Sequence, residues 1–164
     1  MEIEFKRISK AEIGLIKILW ESLNEIHANE SPYFKNFYSR FAFETRIESL
    51  LKFDEDDIRI DIAAEGSRPI IGYCISTIRG ETGELESLLV DAGFRAQGLG
   101  NIFVEKSIGW LKAAHCKKIR VQVAYGHESV FSFYEKFGFY PRITTLELRE
   151  EQTDSDSSET QTRV

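Results

Sequence analysis

Arg95, Ala96, Gln97, Gly98, Leu99 and Gly100 combine a cation with two glycines where an apolar run, residues 85–90, gives way to an amphipathic stretch. That order reads as strand, turn and helix start, and the chemistry it offers is anion binding. The first turn of a helix leaves about four backbone N–H groups without intrahelical partners. The helix dipole adds partial positive charge at the same place, so phosphate oxygens are stabilised there. Glycines at 98 and 100 let a bulky phosphate approach the backbone without a Cβ in the way. Arg95 contributes a planar, bidentate charge. Such glycines also occur where a helix simply packs closely on a strand, and the pattern alone leaves both readings open. Two other phosphate motifs are absent: a dinucleotide fingerprint would need a third glycine where Phe103 stands, and a P-loop would need Gly-Lys-Ser/Thr after four spacers.

A second segment starts at His127 and continues Glu128, Ser129, Val130, Phe131, Ser132, Phe133, Tyr134, Glu135, Lys136, Phe137, Gly138, Phe139. It reads as a short helix stopped by a glycine C-cap at Gly138 and leading into a strand. R-x-x-G-x-G after a strand, followed by F-Y-E-K-x-G-F at residues 133–139, resembles the GCN5-related N-acetyltransferases, with matching element order over residues 2–149. The resemblance implies that Arg95, Ala96, Gln97, Gly98, Leu99, Gly100 and Asn101 hold the pyrophosphate of acetyl-coenzyme A. It also implies that the later helix lies beside the pantetheine arm. The backbone of Leu88, Leu89 and Val90 is then expected to pair with the pantetheine amides, much as a peptide adds to a sheet.

Acetyl transfer to an amine needs a bound thioester, a neutral amine and a proton for the departing thiolate. The resemblance places Tyr134 at the family's general acid. A tyrosine, with a pKa of about 10, stays protonated at neutral pH and can donate as sulfur gains charge. Without the motif, Tyr134 is one more aromatic in a core with Phe131, Phe133, Phe137 and Phe139. Glu86 is the carboxylate expected to remove the amine proton, directly or through water, because several family members carry an acidic residue near it. Strand alternation puts it on the face of Leu88 and Val90. The competing reading is a solvated or salt-bridged strand residue, with Glu84 as the fallback base. His127 stands where the family commonly has asparagine, and Val130 where alanine is frequent. His127 could bond the cofactor, shuttle a proton, or be a surface residue at a helix start.

The elements that must position these groups follow from periodicity. Ile3 and Phe5 alternate as a first strand, and Ser9, Lys10, Ala11, Glu12 have the form of a capping box opening a helix with Ile13, Ile16, Trp20 and Leu23 on one face. Ser31 and Pro32 restart one further helix, predicted to carry Phe34, Phe37, Tyr38, Phe41, Ile47, Leu50 and Leu51. Strands at residues 58–64, 70–78 and 85–90, separated by turns at residues 66–69 and 80–83, predict an antiparallel meander. A main helix carries Leu99, Ile102, Phe103, Trp110 and Leu111. Then come a strand with Ile119, Val121 and Val123, the short helix, and a last strand through Ile143, Leu146 and Leu148. The fold class is α/β, a mixed and mostly antiparallel sheet flanked by helices.

With 164 residues and 42% hydrophobic content, one domain over residues 1–149 has ample core. Five acidic residues against Arg163 place −4 of the net −6 in the last fifteen positions, leaving −2 for the body. That acidic stretch, residues 150–164, lacks periodic apolar residues and is expected to be disordered. Without a basic patch there is no case for nucleic acid, and without a long apolar run none for a membrane. A cytoplasmic enzyme is the default. Cys74 and Cys116 have neither metal-ligand spacing nor a disulfide framework, so no metal is expected. The reading is an acetyl-coenzyme-A-dependent N-acetyltransferase acting by direct transfer on a small-molecule amine or a protein amino group, with a homodimer left open. The acceptor is expected among the amino-terminal helices and the residue 80–83 hairpin, where Tyr33, Phe34, Tyr38, Asp54, Glu55, Asp56, Asp57 and Glu81 combine aromatics with acids. A coenzyme-A-binding regulatory module without turnover is the other class the same residues allow.

Overall fold

The computed structural model describes residues 2–149, and the acidic stretch expected to be disordered lies outside the described residues. Strand β1 (Ile3–Ile8) ends at Ser9, whose backbone N–H and hydroxyl both donate to the Glu12 carboxylate, at 3.0 and 3.2 Å. The Glu12 N–H donates to the Ser9 carbonyl at 3.1 Å as the first bond of the helical turn, and the Ser9 and Glu12 side chains form the predicted capping box. A 3-10 turn, Lys10–Ile16, runs directly into α1 (Lys17–Glu30). Ile13, Ile16, Leu19 and Trp20 bury against the sheet from this one face.

Beyond α1 the Ser31 hydroxyl accepts the Phe34 N–H at 3.0 Å, as a helix-start residue should. The single helix expected next is instead two, α2 (Lys35–Arg40) and α3 (Phe43–Leu50), interrupted at Phe41 and Ala42 in extended conformation. The cause lies outside the segment. The Asn24 amide on α1 donates to the carbonyls of Tyr38 at 2.6 Å and Phe41 at 3.3 Å, satisfying groups that a continuing helix would have used itself.

The meander follows as β2 (Ile58–Glu65), β3 (Ile70–Arg79) and β4 (Thr82–Val90), and α4 (Leu99–Ala113) crosses over to β5 (Lys118–Val121). Strand order is β1-β2-β3-β4-β5, antiparallel throughout except for the parallel β4–β5 pair, which a crossover helix makes possible. α1 and α3 cover one face through Ile60, Tyr73, Ile75 and Leu89. α4 covers the other, where Phe103, Val104 and Leu111 are fully buried. On that side Ser76 Oγ donates to Ser107 Oγ at 2.8 Å, and Cys74 Sγ lies 3.3 Å from the same hydroxyl. Burial pushes the Cys74 thiol up to about 11, consistent with a structural core cysteine.

The short helix forms as a 3-10 turn, Glu128–Val130, and α5 (Phe131–Glu135), stopped by Gly138 at φ +88°. Two expectations for the carboxyl-terminal part are corrected. β5 ends at Val121 and does not include Val123. Residues 140–149, expected to hold a last strand, form no regular structure, and among the described residues no neighbour supplies the backbone bonds of a strand. Among the described residues, no helix is long and apolar enough to cross a membrane.

Phe103 is fully buried, edge-on to Phe5 with ring centroids 5.0 Å apart, and leaves no room for a side chain at Gly72. Phe103→Ala is therefore expected to cost about 3–5 kcal/mol, from lost burial plus the cavity left behind. Urea denaturation measures it, and a loss below about 1 kcal/mol would show that α4 does not anchor the sheet as described.

Candidate active site

The site begins with a strand pairing that stops. β4 and β5 pair from Thr82 opposite Lys118 to Leu85 opposite Val121, and no further. At the next residue β4 bulges: Ser76 of β3 faces Leu85 while Ile75 faces Ser87, so Glu86 is the extra residue. Past the bulge, β4 keeps its bonds to β3 but, among the described residues, has no strand along its other edge. Between the parted strands lies a cavity of about 930 Å³. Its walls are residues 85–90, residues 121–123, the start of α4, Tyr134, and the facing ends of α1 and α2.

One end of the cavity is formed by the loop and helix start that the sequence marks as a candidate anion cradle. Gly98 is the N-cap of α4 at φ +80°, a conformation that disfavours any other residue, and a Cβ there would project into open space. Among the described residues, no protein acceptor takes the N–H groups of residues 96–101; the first bond of α4 is from Ile102 N–H to the Gly98 carbonyl, at 3.2 Å. A row of free donors at a helix start fits a pyrophosphate. Gly100 has a different reason to be glycine: a Cβ would come within 3.2 Å of the Phe133 ring, so packing on α5 accounts for it. Arg95 is exposed, and its Nε donates to the Val90 carbonyl at 3.1 Å, which ties the loop to the end of β4. Lys136 adds a cation that sequence reading missed. Its Nζ donates to Asn101 Oδ1 at 3.1 Å and sits 4.8 Å from the Phe133 ring centre.

Tyr134 lines the middle of the cavity, with Phe133 and Phe139 edge-on around it. Burial pushes its phenol well above the ordinary tyrosine value. The hydroxyl makes no hydrogen bond to the protein among the described residues, so its proton is uncommitted. Leu88, Leu89 and Val90 line the cavity through the unpaired edge of β4.

The placement expected for Glu86 needs correction. Simple alternation put it on the face of Leu88 and Val90, but the bulge turns it to the opposite face, toward α3. There its Oε1 accepts from Thr77 Oγ1 at 2.6 Å and its Oε2 from Arg46 at 2.7 Å. Glu86 therefore enters the cavity as half of an ion pair. Arg46 was not legible as its partner, being forty residues away on a helix with no motif. Glu84, the fallback, pairs with Arg120 at 3.0 Å and does not line the cavity.

The far end of the cavity holds a group that crosses most of the chain. His127 Nδ1 bonds the Glu30 carboxylate, ninety-seven residues away. The His127 ring meets His27 edge-on at 5.3 Å, and His27 lies 5.5 Å from Tyr38. Burial first, and then the neighbouring His127, hold the His27 imidazole below its usual pKa, so it is neutral near pH 7. Trp20, Phe37, Tyr38 and Phe41 complete this end. Of the residues expected to meet an acceptor, Tyr38 is brought here. Asp54, Glu55, Asp56 and Asp57 instead form a helical turn before β2, Glu81 pairs with Lys117 at 2.6 Å, and Tyr33 stacks on Tyr125 outside the cavity.

The family model described as "Acetyltransferase (GNAT) family" matches residues 20–139, and the chain belongs to that family. Acetyltransferase YE1169 of Yersinia enterocolitica is 23% identical over 144 residues, which covers 88% of this chain and 92% of that protein. Two solved structures share the fold at lower identity. The PaiA N-acetyltransferase of Thermoplasma acidophilum, in complex with coenzyme A, superposes with a TM-score of 0.71 at 18% identity, covering 88% of this chain and 94% of that one. An aminoglycoside acetyltransferase from an uncultured soil metagenomic sample, in complex with sisomicin, gives 0.65 at 12% identity, covering 92% and 97%.

The Arg46–Glu86 pair is mostly shielded from water, with side chains 22% and 9% exposed. Removing the cation strands a carboxylate that is costly to leave unpaired. Arg46→Leu is expected to lower stability by about 1–3 kcal/mol, after allowance for residual solvent access. Lys17→Ala, which breaks an exposed pair with Glu44, should stay within about 0.5 kcal/mol of the parent. Equal urea midpoints for the parent and Arg46→Leu would show that the pair does not hold Glu86 in place.

Proposed function

We propose that this acetyltransferase moves the acetyl group of acetyl-coenzyme A to a primary amine by direct attack, within one catalytic domain formed by residues 1–149. The observation that carries this reading is that one cavity joins a helix-start cradle of free N–H donors to an uncommitted tyrosine hydroxyl. Residues 96–101, with Arg95 and Lys136, would hold the pyrophosphate. The free edge of β4 at Leu88, Leu89 and Val90 would pair with the pantetheine amides. Bound acetyl-coenzyme A supplies a thioester carbonyl for attack and a thiolate that leaves.

Tyr134 is assigned the proton for that thiolate. Burial raises the phenol, and the same low-dielectric setting makes a bare thiolate costly, so both shifts run in one direction and transfer between them stays feasible. Glu86 is assigned the proton of the attacking ammonium. Each of its oxygens accepts one protein hydrogen bond and keeps a second lone pair for the amine or a water. His127, locked to Glu30 through Nδ1, presents its other ring nitrogen as a partner for the cofactor. Carboxylates at Glu30 and Glu86 among Trp20, Phe37, Tyr38 and Phe41 suit a cationic acceptor through charge and cation–π contact. A small-molecule amine or a protein amino group meets that requirement.

Thiol release from acetyl-coenzyme A against a panel of amines tests the activity. Tyr134→Phe then separates proton donation from packing, because it keeps the ring and removes the hydroxyl. Single-turnover transfer should fall by about 10²-fold or more with coenzyme A affinity little changed. A rate within about threefold of the parent would retire Tyr134 as the acid. At the cradle, Gly98→Asp places a carboxylate among the free N–H groups and should abolish the rise in melting temperature that acetyl-coenzyme A gives the parent. A folded Gly98→Asp variant with parental affinity would remove the cradle assignment.

A further inference from the structure

The Arg46–Glu86 pair stands in the wall of the cavity with bonding capacity left over. A guanidinium carries five N–H donors. Arg46 gives one from Nη2 to Glu86, and among the described residues its Nε and Nη1 have no acceptor. The bulge adds a third polar group beside them. Glu86 bonds Thr77 and its neighbour Ser87 bonds Tyr73, and Thr77 and Tyr73 lie on one face of β3. Two consecutive residues of β4 therefore turn to the same face, which regular alternation forbids and a bulge permits. Tyr73 is fully buried, and among the described residues the one partner of its hydroxyl is Ser87 Oγ, at 2.7 Å. With Tyr73 donating, as satisfies a buried hydroxyl with a single acceptor in reach, the Ser87 hydrogen is left for a ligand in the cavity.

Arg46 and Glu86 are 2.7 Å apart, so a ligand that engages both must present a cation and an anion side by side. An ammonium alone does not suit them. To bind Glu86 closely it competes with Arg46, and a guanidinium mostly shielded from water is costly to leave without its anion. Glu30, the other carboxylate that lines the cavity, is likewise already bonded, to His127. A ligand that brings its own carboxylate restores the partner that Arg46 gives up. In an α-amino acid the ammonium and the carboxylate sit on one carbon, which matches the spacing of the pair. The same end of the cavity is apolar around this point, with Trp20, Phe37 and Phe41 in its wall. Phe37 stacks on Phe41 at 5.6 Å yet stays 54% exposed, so it offers a ring for a ligand side chain to cover.

We propose that the acetyl acceptor is a free α-amino acid with an apolar side chain, its ammonium on Glu86 and its carboxylate on Arg46 and the Ser87 hydroxyl. The inference rests on the acetyl-transfer reading and narrows its acceptor. The α-nitrogen forms the new bond to the acetyl carbon as the C–S bond breaks. Of the two protons the ammonium gives up, one leaves through Glu86 and the other ends on the thiol by way of Tyr134. The amino terminus of a protein does not meet the requirement, because its α-carboxyl is an amide and has no charge to return to Arg46. A polyamine fails for the same reason.

Thiol release at saturating acetyl-coenzyme A tests it on the parent protein, compared as kcat/KM for L-phenylalanine, L-leucine, L-phenylalaninamide, phenethylamine and spermidine. The amide mimics a protein amino terminus, and phenethylamine lacks only the carboxylate of phenylalanine. The amino acids are expected to exceed the other amines by about 30-fold or more, the low end for leaving a buried charge unpaired. Arg46→Gln should bring phenylalanine and phenethylamine to within about threefold of each other. The ratio is the readout, because a misplaced Glu86 slows both acceptors alike. Arg46→Lys, which keeps a cation beside Glu86 and loses the planar fork, should narrow the ratio as well and serves where Arg46→Gln does not fold. A parental margin below about threefold, or a reversed one, overturns the acceptor assignment and leaves acetyl transfer standing, as does thiol release only with amines outside this set. Release with no amine of a broad panel removes the acetyl-transfer reading, and the acceptor with it. A margin unchanged in the Arg46 variants overturns the pairing of the carboxylate with Arg46.

Discussion

Parallel pairing between β4 and β5 ends at Leu85 and Val121, and the rest of the molecule is arranged around that termination. Parallel ladders are slightly weaker per residue than antiparallel ones, and a bulge sharpens the local twist of the strand that carries it. The extra residue at Glu86 therefore steers β4 away from β5 just where the ladder stops. On its other side β4 remains bonded to β3 through Val90, so the divergence opens a cleft without loosening the sheet. The carboxyl end of β4 then delivers the chain to the start of α4, where the free N–H groups collect. Glycine at 98 is needed for the turn itself, whereas glycine at 100 is needed for the approach of Phe133.

The parted halves are held at a fixed distance by contacts that cross the cleft at its far end. The loop after β5 lies so close to the carboxyl end of α1 that a Cβ at Gly126 would collide with the Glu30 carbonyl, and Gly126 itself sits at φ +100°. One residue later, His127 bonds the Glu30 side chain. Backbone fit and side-chain bond coincide, so α1 and the α5 region are registered against each other although they adjoin different parts of the sheet.

Local periodicity made much of this legible in the sequence. The capping box at Ser9, the alternation of Ile58, Ile60 and Ile62, and the helix face carrying Leu99, Phe103 and Leu111 each declare themselves within one turn or a few residues, because burial of one face is a local pattern. The turn and helix start at Gly98 were legible from the glycines that follow an apolar strand. What failed were features set by another part of the chain. The bulge at Glu86 depends on register with β3, and a shift of one residue sends a side chain to the other face. The break between α2 and α3 depends on Asn24. The Arg46–Glu86 and Glu30–His127 pairs join residues with no shared spacing, and nothing near Ile143 or Leu148 signals that a strand-like sequence lacks a neighbour among the described residues.

The cleft is also polarised along its length, and this bears on why a tyrosine stands at its centre. One end collects positive charge from the α4 start, Arg95 and Lys136. The other holds the carboxylates of Glu30 and Glu86 among aromatic rings, the first bonded to His127 and the second paired with Arg46. On the proposed function, an anionic donor would be drawn to the cationic end, which would set the order of donor and acceptor along the cleft before any specific contact forms. A charged side chain at the junction would favour one of them and oppose the other. A buried phenol, held neutral by its surroundings, favours neither at rest and still carries a proton that can move once charge develops beside it.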